Sequence, residues 1–323
     1  MERIKIKDQK YKLVSLFSGI GGLDLGFEYA GFDVVWANDF DKYAVEAYKA
    51  NVNGNIVHGD IRMVKKDIPA HDVLVGGFPC QPFSSLGKME GFDDSQGRGT
   101  LFFEIMDIIK THDTKVVVLE NVKNLLSHDK GNTFARIKNE LDEAGYTLFY
   151  KVLNSADYGV PQRRNRLFMV AFNRKYYDIS EFDFPEAQGD PGSTLDLLDK
   201  DVTAQYFLTK KVSETVLSRG KNNAVSAPTI DLPISKTLTA TMHKWHRASQ
   251  DNYFTDDTNF KKYCDERRIN IRRLTPNECR KLQGFPSDWK FVVSDLQSYR
   301  QFGNAVTVNV SYAVAKKIRE VMD

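Results

Sequence analysis

The 323-residue chain has only three cysteines, Cys80, Cys264 and Cys279. They are too few and too scattered for a disulfide framework, and a reducing compartment, the cytoplasm, is expected. No run is apolar enough over sufficient length to cross a bilayer, so no membrane partner is expected. The opening Met-Glu-Arg-Ile-Lys-Ile-Lys lacks the apolar centre of a secretory signal. Neither sign of charge dominates: Lys and Arg number 45 against 43 Asp and Glu, a net charge of +2. Binding to nucleic acid would have to rest on local patches. There is no internal repeat and no low-complexity tract. His243 and His246 have no cysteine or acid at ligand spacing, so no metal is expected.

What is present is alternation. Residues 12–17 are β-prone and break at Ser18-Gly19-Ile20-Gly21-Gly22. Leu23, Leu25, Phe27 and Ala30 suit a helix that stops at Gly31. Short apolar strands at 34–37, 56–57, 73–76 and 116–119 alternate with helical stretches at 43–51, 101–109 and 134–144. The pattern predicts a parallel sheet covered by helices. Two closely spaced strands at 148–153 and 166–172 suggest an antiparallel pair closing one edge. After Tyr176 the alternation stops. Between 205 and 250 lie Lys210, Lys211, Arg219, Lys221, Lys236, Lys244 and Arg247, against only Glu214 and Asp231. This predicts a smaller, irregular, locally basic module. A helical pattern resumes around Arg272, where Cys279 shares a face with Leu282. Residues 308–322 form an amphipathic helix with Val310, Val314 and Ile318 in its stripe.

Chemistry concentrates at predicted strand ends, where open α/β sheets keep their sites. Gly-Gly-Phe-Pro-Cys-Gln-Pro-Phe-Ser, residues 76–84, puts the Cys80 thiol in a turn after one strand. Glu120-Asn121-Val122 puts a carboxylate after another. A thiol with an acid at the same edge suggests a nucleophile and a proton donor. Asp39 follows the glycine turn by about twenty residues, the spacing at which a carboxylate holds ribose hydroxyls. Taken alone that is a weak nucleotide signal, and a tight turn with surface acids would look the same. Carboxylates without a third glycine or a cationic setting suit a nucleoside better than a pyrophosphate.

Eight blocks in order resemble the bacterial DNA (cytosine-5)-methyltransferases. They are Phe17-Ser18-Gly19-Ile20-Gly21-Gly22; Asn38-Asp39; Gly59-Asp60; Phe78-Pro79-Cys80-Gln81; Glu120-Asn121-Val122; Gln162-Arg163-Arg164-Asn165-Arg166; Arg273-Leu274-Thr275-Pro276 through Leu282-Gln283-Gly284-Phe285-Pro286; and Gln301-Phe302-Gly303-Asn304-Ala305-Val306. They cover most of 13–172 and 272–316. The resemblance implies an α/β fold: a Rossmann-like, mostly parallel sheet with an antiparallel edge hairpin. A catalytic and cofactor-binding domain would span 1–180 with 291–323, and an irregular target-recognition domain 181–290.

The resemblance further implies S-adenosylmethionine as donor, S-adenosylhomocysteine as product, and no metal. Phe17, Gly19, Gly21, Gly22, Asp39, Phe40, Asp60, Ile61, Pro79 and Asn304 would bind the donor. Phe17 would stack on adenine, Asp39 would hold the ribose and Asp60 the adenine amino group. Cys80 would attack C6 of a flipped-out cytosine, with Glu120 as partner of N3. Arg164 and Arg166 would hold the base carbonyl or the nucleotide phosphate, Arg166 being favoured. The Gly-rich polar stretch after Cys80 suits a mobile lid over DNA. Gln81, Ser84, Ser85, Lys88, Arg98, Lys236, Thr237, Lys244 and Arg247 would contact DNA, Lys236 and Arg247 at phosphates. Thr237-Leu238 resembles the family's short signature in the recognition region. Expected partners are double-stranded DNA with a short specific site and, functionally rather than physically, a cognate restriction endonuclease; a monomer is expected. An RNA cytosine-5 methyltransferase of the same fold would carry a shorter insert. A catalytically dead DNA-binding relative would not need Cys80, Glu120 and Arg166 together.

Overall fold

The computed structural model of the chain describes residues 2–4, 8–78 and 101–323. Pro79, Cys80, Gln81, Ser84, Ser85, Lys88 and Arg98 lie outside the described residues. Two compact units are present. The larger comprises Ile4–Asn154, Asn165–Glu186 and Val310–Asp323; the smaller comprises Met1–Arg3, Ser155–Arg164 and Ala187–Asn309.

The larger unit is built on seven strands: β1 (Tyr11–Leu16), β2 (Phe32–Asp39), β3 (Ile56–His58), β4 (Val73–Gly76), β5 (Val116–Val122), β6 (Tyr146–Asn154) and, after a two-residue strand β7 (Gln162–Arg163) of the smaller unit, β8 (Asn165–Asn173). Their order is β3-β2-β1-β4-β5-β8-β6. The first five are parallel, while β8 runs antiparallel to both β5 and β6. The parallel strands read as unbroken apolar runs because helices cover both sheet faces. Val116, Val117 and Val118 of β5 are all fully buried. The register aligns the carboxyl ends: Leu16 faces Asn38 on one side and Gly76 on the other, Gly76 faces Leu119, and Asp39 faces His58. One sheet edge therefore gathers the residues that follow these strands.

The helices of this unit are α1 (Gly22–Tyr29), α2 (Lys42–Asn51), α3 (Ile61–Val64), α4 (Leu101–Thr111) and α5 (Asn132–Glu143). The stripe Val310, Val314 and Ile318 of the C-terminal helix is buried as its periodicity predicts. That helix lies against α1 at Gly26, where a Cβ would stand 2.4 Å from Ser311 Oγ. Ser311 Oγ donates to Leu23 O at 2.7 Å.

The smaller unit holds α6 (Lys210–Val216), α7 (Asp257–Tyr263), α8 (Pro276–Leu282) and α9 (Asp295–Asn304). Its three-stranded antiparallel sheet has β9 (Phe207–Thr209) and β11 (Tyr253–Thr255) flanking β12 (Arg268–Arg273). The short β10 (Ser235–Lys236) pairs with β7. Two sequence expectations shift here. Helix does not resume around Arg272; β12 occupies that position, with Ile269 and Ile271 both packed against the unit's apolar cluster. The helix begins at Pro276 behind a capping box formed by Thr275 and Glu278. Arg272 is fully buried between Glu278 (2.8 Å) and Asp256 (2.7 Å). The unit boundaries also differ from 180 and 290. Residues 155–164 and 291–309 group with the smaller unit, because β7 pairs with β10 and Arg164 bonds to both Leu238 and α9.

Candidate active site

The glycine turn leaves β1 through Phe17, whose φ of 54° is left-handed. For a bulky residue that conformation costs about 1–3 kcal/mol and persists only where neighbours over-determine it. Several do. Ser18 N donates to Asn38 O at 2.9 Å, and Gly21 N to Ser18 O at 2.8 Å. Gly19 N donates to Asp39 Oδ2 at 2.7 Å, while Asp41 N donates to Asp39 Oδ1 at 2.8 Å. Burial pushes the Asp39 carboxyl above its ordinary value, more than these backbone N–H bonds lower it. Each Asp39 oxygen keeps capacity for a further donor such as a hydroxyl.

Phe40, Asp60 and Ile61 sit at the same edge of the larger unit. Phe40 is 75% exposed, a flat apolar surface left uncovered next to Asp39. Ile61 is buried. Asp60 caps α3 by accepting from Arg62 N at 3.0 Å. Its carboxylate also takes Arg62 Nε at 2.9 Å, and the arginine holds its pKa below the ordinary value. Gly19 faces open space, whereas a Cβ on Gly21 would strike Val52 and Tyr48. Gly22 is the buried first residue of α1. An open backbone turn, an exposed ring and carboxylates suit a nucleoside ligand; Arg62, the cation beside Asp60, is already paired. Asn304 is exposed at the end of α9 and belongs to the smaller unit.

On β5, Glu120 stands one residue past the Gly76–Leu119 pair and is nearly buried. Its Oε1 meets Arg166 Nε at 3.0 Å. Burial lowers the Arg166 pKa, opposed by the Glu120 charge. β8 brings Arg166 into place, since Arg166 pairs with Val122 across the antiparallel ladder. Gly77 lies against the carboxylate; a Cβ there would come within 3.3 Å of Glu120 Oε2. The neighbouring Asn121, given no role by the sequence, donates to Phe78 O at 2.9 Å and so ties the ends of β4 and β5 together. A buried amide in an apolar strand was the available signal.

Arg164 is enclosed by backbone carbonyls. It is 1% exposed, and its guanidinium donates to Leu238 O (2.9 Å), Gly303 O (3.0 Å) and Ala305 O (2.7 Å). The expected base or phosphate contact is therefore corrected to a structural clamp: those N–H groups are spent on carbonyls that burial would otherwise leave unpaired. Gln162 Oε1 accepts Leu238 N at 2.9 Å, so Leu238 is gripped at both its N–H and its C=O. Thr237 Oγ1 donates to Arg163 O.

The basic residues expected at DNA divide similarly. Lys236 Nζ donates to Ala248 O (2.7 Å), Asp251 O (3.1 Å) and Thr229 O (3.2 Å), which uses all three of its protons internally. Burial lowers its pKa. Its expected phosphate contact gives way to a role as a staple of three loop segments. Arg247 Nη1 donates to Thr215 O at 3.1 Å and to Ser218 Oγ, and is partly committed. Lys244 is exposed. Nearby, Arg273 lies over the Trp245 ring, 4.0 Å from its centroid. Cys279 is buried beside Leu282, and no metal-binding cluster occurs among the described residues. No helix among the described residues is long and apolar enough to cross a membrane.

Residues 11–320 match the family model described as C-5 cytosine-specific DNA methylase. The chain is 40% identical to Type II methyltransferase M.SsoII of Shigella sonnei, over 97% of this chain and 81% of that protein. It is 40% identical to M1.ScrFI of Lactococcus lactis subsp. cremoris, over 98% and 80%. It is 36% identical to M.HhaI of Haemophilus parahaemolyticus, over 98% and 97%. Among solved structures, the S. pombe Dnmt2 methyltransferase aligns with a TM-score of 0.75 at 20% identity, covering 96% of this chain and 99% of that one. A DNMT2 mutant of Spodoptera frugiperda aligns with a TM-score of 0.74 at 23% identity, covering 97% and 100%. At such identities the structural likeness speaks for the fold alone.

Proposed function

The chain belongs to the C-5 cytosine-specific DNA methylase family, an enzyme class of restriction-modification type, and from that premise we propose how its residues carry out the reaction. Family membership implies S-adenosylmethionine as the methyl donor and DNA as the substrate. The carrying observation is the Glu120–Arg166 pair at the sheet edge that also holds Phe17, Asp39 and Asp60.

The target cytosine rotates out of the duplex, since C6 is inaccessible within the stack; unstacking and unpairing cost about a few kcal/mol. The Cys80 thiolate forms a bond to C6. Glu120 shares a proton with N3 as the ring arrives, and Arg166 turns part of its hydrogen bonding from Glu120 to the base carbonyl. Addition at C6 with a proton held at N3 drives the ring electrons onto C5 and makes it an enamine-like nucleophile. The bound donor would supply an electrophilic methyl group on sulfur. C5 takes that methyl as the methyl–sulfur bond breaks, leaving S-adenosylhomocysteine; the C5 proton then passes to water, its electron pair re-forms the C5–C6 double bond, the N3 proton returns to Glu120 and Cys80 departs as thiolate. Asp39 orients the ribose, Phe17 stacks on the adenine with exposed Phe40 beside the same site, and the open backbone at Gly19 admits the methionine portion. Asp60 takes the adenine amino group while remaining paired to Arg62. Asn304 is assigned to the donor from the resemblance alone.

Within the smaller unit, exposed Lys244 is the strongest candidate for a phosphate contact. Gln81, Ser84, Ser85, Lys88 and Arg98 are assigned to DNA from the resemblance alone. A monomer acting on a short site, with a cognate endonuclease as functional partner, completes the reading. The decisive test uses duplex DNA containing 5-fluorocytosine at the site found by bisulfite sequencing of expressing cells. A denaturation-stable conjugate with the unaltered protein, absent in Cys80→Ser, is expected. Transfer by Cys80→Ser at the unaltered rate would refute the mechanism, and activity on tRNA without activity on duplex DNA would refute the substrate.

A further inference from the structure

One fully buried acid in the larger unit has no part in the reaction described above. Asp24, in the first turn of α1, is 0% exposed directly beneath the glycine turn. Its Oδ1 accepts from Ser15 Oγ at 2.7 Å and its Oδ2 from Tyr48 Oη at 2.6 Å. Ser18 Oγ donates to Ser15 Oγ at 2.8 Å, with Ser15 O a longer second acceptor at 3.1 Å. Asn38 N donates in turn to Ser18 Oγ at 3.3 Å. The Asn38 side chain continues outward, its Nδ2 reaching Val57 O (3.0 Å) and Gly59 O (2.9 Å). The series thus begins at Asp24 and ends beside Asp39 and Asp60.

A carboxylate only accepts hydrogen bonds, so it fixes the direction of every hydroxyl in the series. Ser15 must donate to Asp24, which frees its oxygen to accept from Ser18. Ser18 in turn offers a lone pair to Asn38 N. We infer that Asp24 is a positioning residue of the donor site, its buried carboxylate orienting the Ser15–Ser18–Asn38 series that holds the left-handed Phe17 turn and the ends of β2 and β3 in donor-binding geometry. This rests on the reading of that edge as the donor site.

The cost of a buried charge fits the assignment, since a residue there for packing alone would be better neutral. Burial pushes the Asp24 carboxyl up to about 6, against the hydrogen bonds from Tyr48 and Ser15, with the nearby Asp39 charge adding to the rise. Tyr48, itself facing Glu28, has its own pKa raised by burial and stays protonated across the neutral range. Protonating Asp24 places a donor against two donors, so Ser15 or Tyr48 has to reverse. Asp39 also titrates upward of its ordinary value, and only the pH step that vanishes with Asp24 belongs to Asp24.

The test is calorimetric binding of S-adenosylhomocysteine to the full chain between pH 5 and 7.5, with thermal unfolding in parallel. The unaltered protein should bind with affinity that falls below about pH 6 in a one-proton step. Asp24→Asn should bind about fivefold more weakly at pH 7.5, lack that step, and unfold at the same or a higher temperature. Ser15→Ala leaves the acid and Tyr48 in place; it should weaken binding and move the step to higher pH, because the carboxylate loses a donor. Asp24→Asn binding as the unaltered protein does, or retaining the step, would overturn the inference. So would Asp24→Asn weakening binding only in proportion to lost stability. Should Asp24→Asn not fold, an unchanged step in Ser15→Ala overturns it equally. No binding by the unaltered protein would instead overturn the donor-site reading and the inference with it.

Discussion

Two arginines separated by one residue do opposite work. Arg166 pairs with a nearly buried carboxylate at a sheet edge, whereas Arg164 spends its guanidinium on three backbone carbonyls. Glu120→Gln should therefore lower kcat by about 10²- to 10⁴-fold with little change in DNA affinity, measured by tritium transfer from labelled donor and by a binding isotherm. Equal losses in both would assign Glu120 to architecture. Arg164→Met should lower unfolding free energy by about 2–4 kcal/mol through the carbonyls it strands, measured by urea denaturation. A kcat loss without any shift in the midpoint would return Arg164 to the substrate. In the sequence, Glu120 stands out because it follows a readable apolar run, whereas Arg166 is favoured over Arg164 only through the family resemblance. The residues alone do not separate the two arginines, because alternation in a strand says which residues share a face and not what covers that face.

At the scale of the element, the basic 205–250 segment is pinned from within. β10 pairs with β7, Leu238 is held by Gln162 and Arg164, and Lys236 staples three loop segments. Lys244→Ala should weaken DNA binding and reduce the magnitude of the salt slope by about one. Lys236→Met should leave the slope unchanged while lowering thermal stability. Fluorescence anisotropy across a salt series, with a thermal scan, separates them; a slope change in Lys236→Met would put that lysine back at phosphate. The basic character of 205–250 was legible as composition, but composition counts cations without showing which are already engaged. For β12 the error had a related source. Arg268, Arg272 and Arg273 mask a period-two pattern whose apolar members are only Ile269 and Ile271. The parallel sheet, with its long unbroken apolar strands and edge hairpin, was the most readable part because burial on both faces writes itself into consecutive residues.

Across the two units, buried carboxyls contribute to stability with opposite pH dependence. In the larger, Asp24 titrates at about 6 and Asp39 above its ordinary value, both chiefly through burial. Their native forms bind protons more tightly than the unfolded chain, so this contribution to stability grows as pH falls through about 6 toward 4 and is lost on raising pH. In the smaller, burial raises the Asp199 and Asp256 carboxyls, but hydrogen bonds and the charges of Lys281 and Arg272 outweigh it. Their contribution is present above the ordinary carboxylate value near 4 and is lost as pH falls through their lower folded values. Hydrogen-exchange mass spectrometry at pH 5 and pH 7, after correction for intrinsic exchange, should show the larger unit of the unaltered protein gaining protection relative to Asp24→Asn as pH falls. An identical pH dependence in the two proteins would contradict it.

The larger unit also closes late along the chain: Gly26 of α1 is backed by Ser311 and Tyr312, some 285 residues further on. While the ribosome is still making 187–309, the helix that opens from the glycine turn has a bare flank. A nascent chain can assemble its strands, but it cannot finish the pocket they serve. Methyl transfer should accordingly start only with chains that have been translated through Val308–Met322, and a stop codon placed just before Val310 should yield a protein without measurable catalysis.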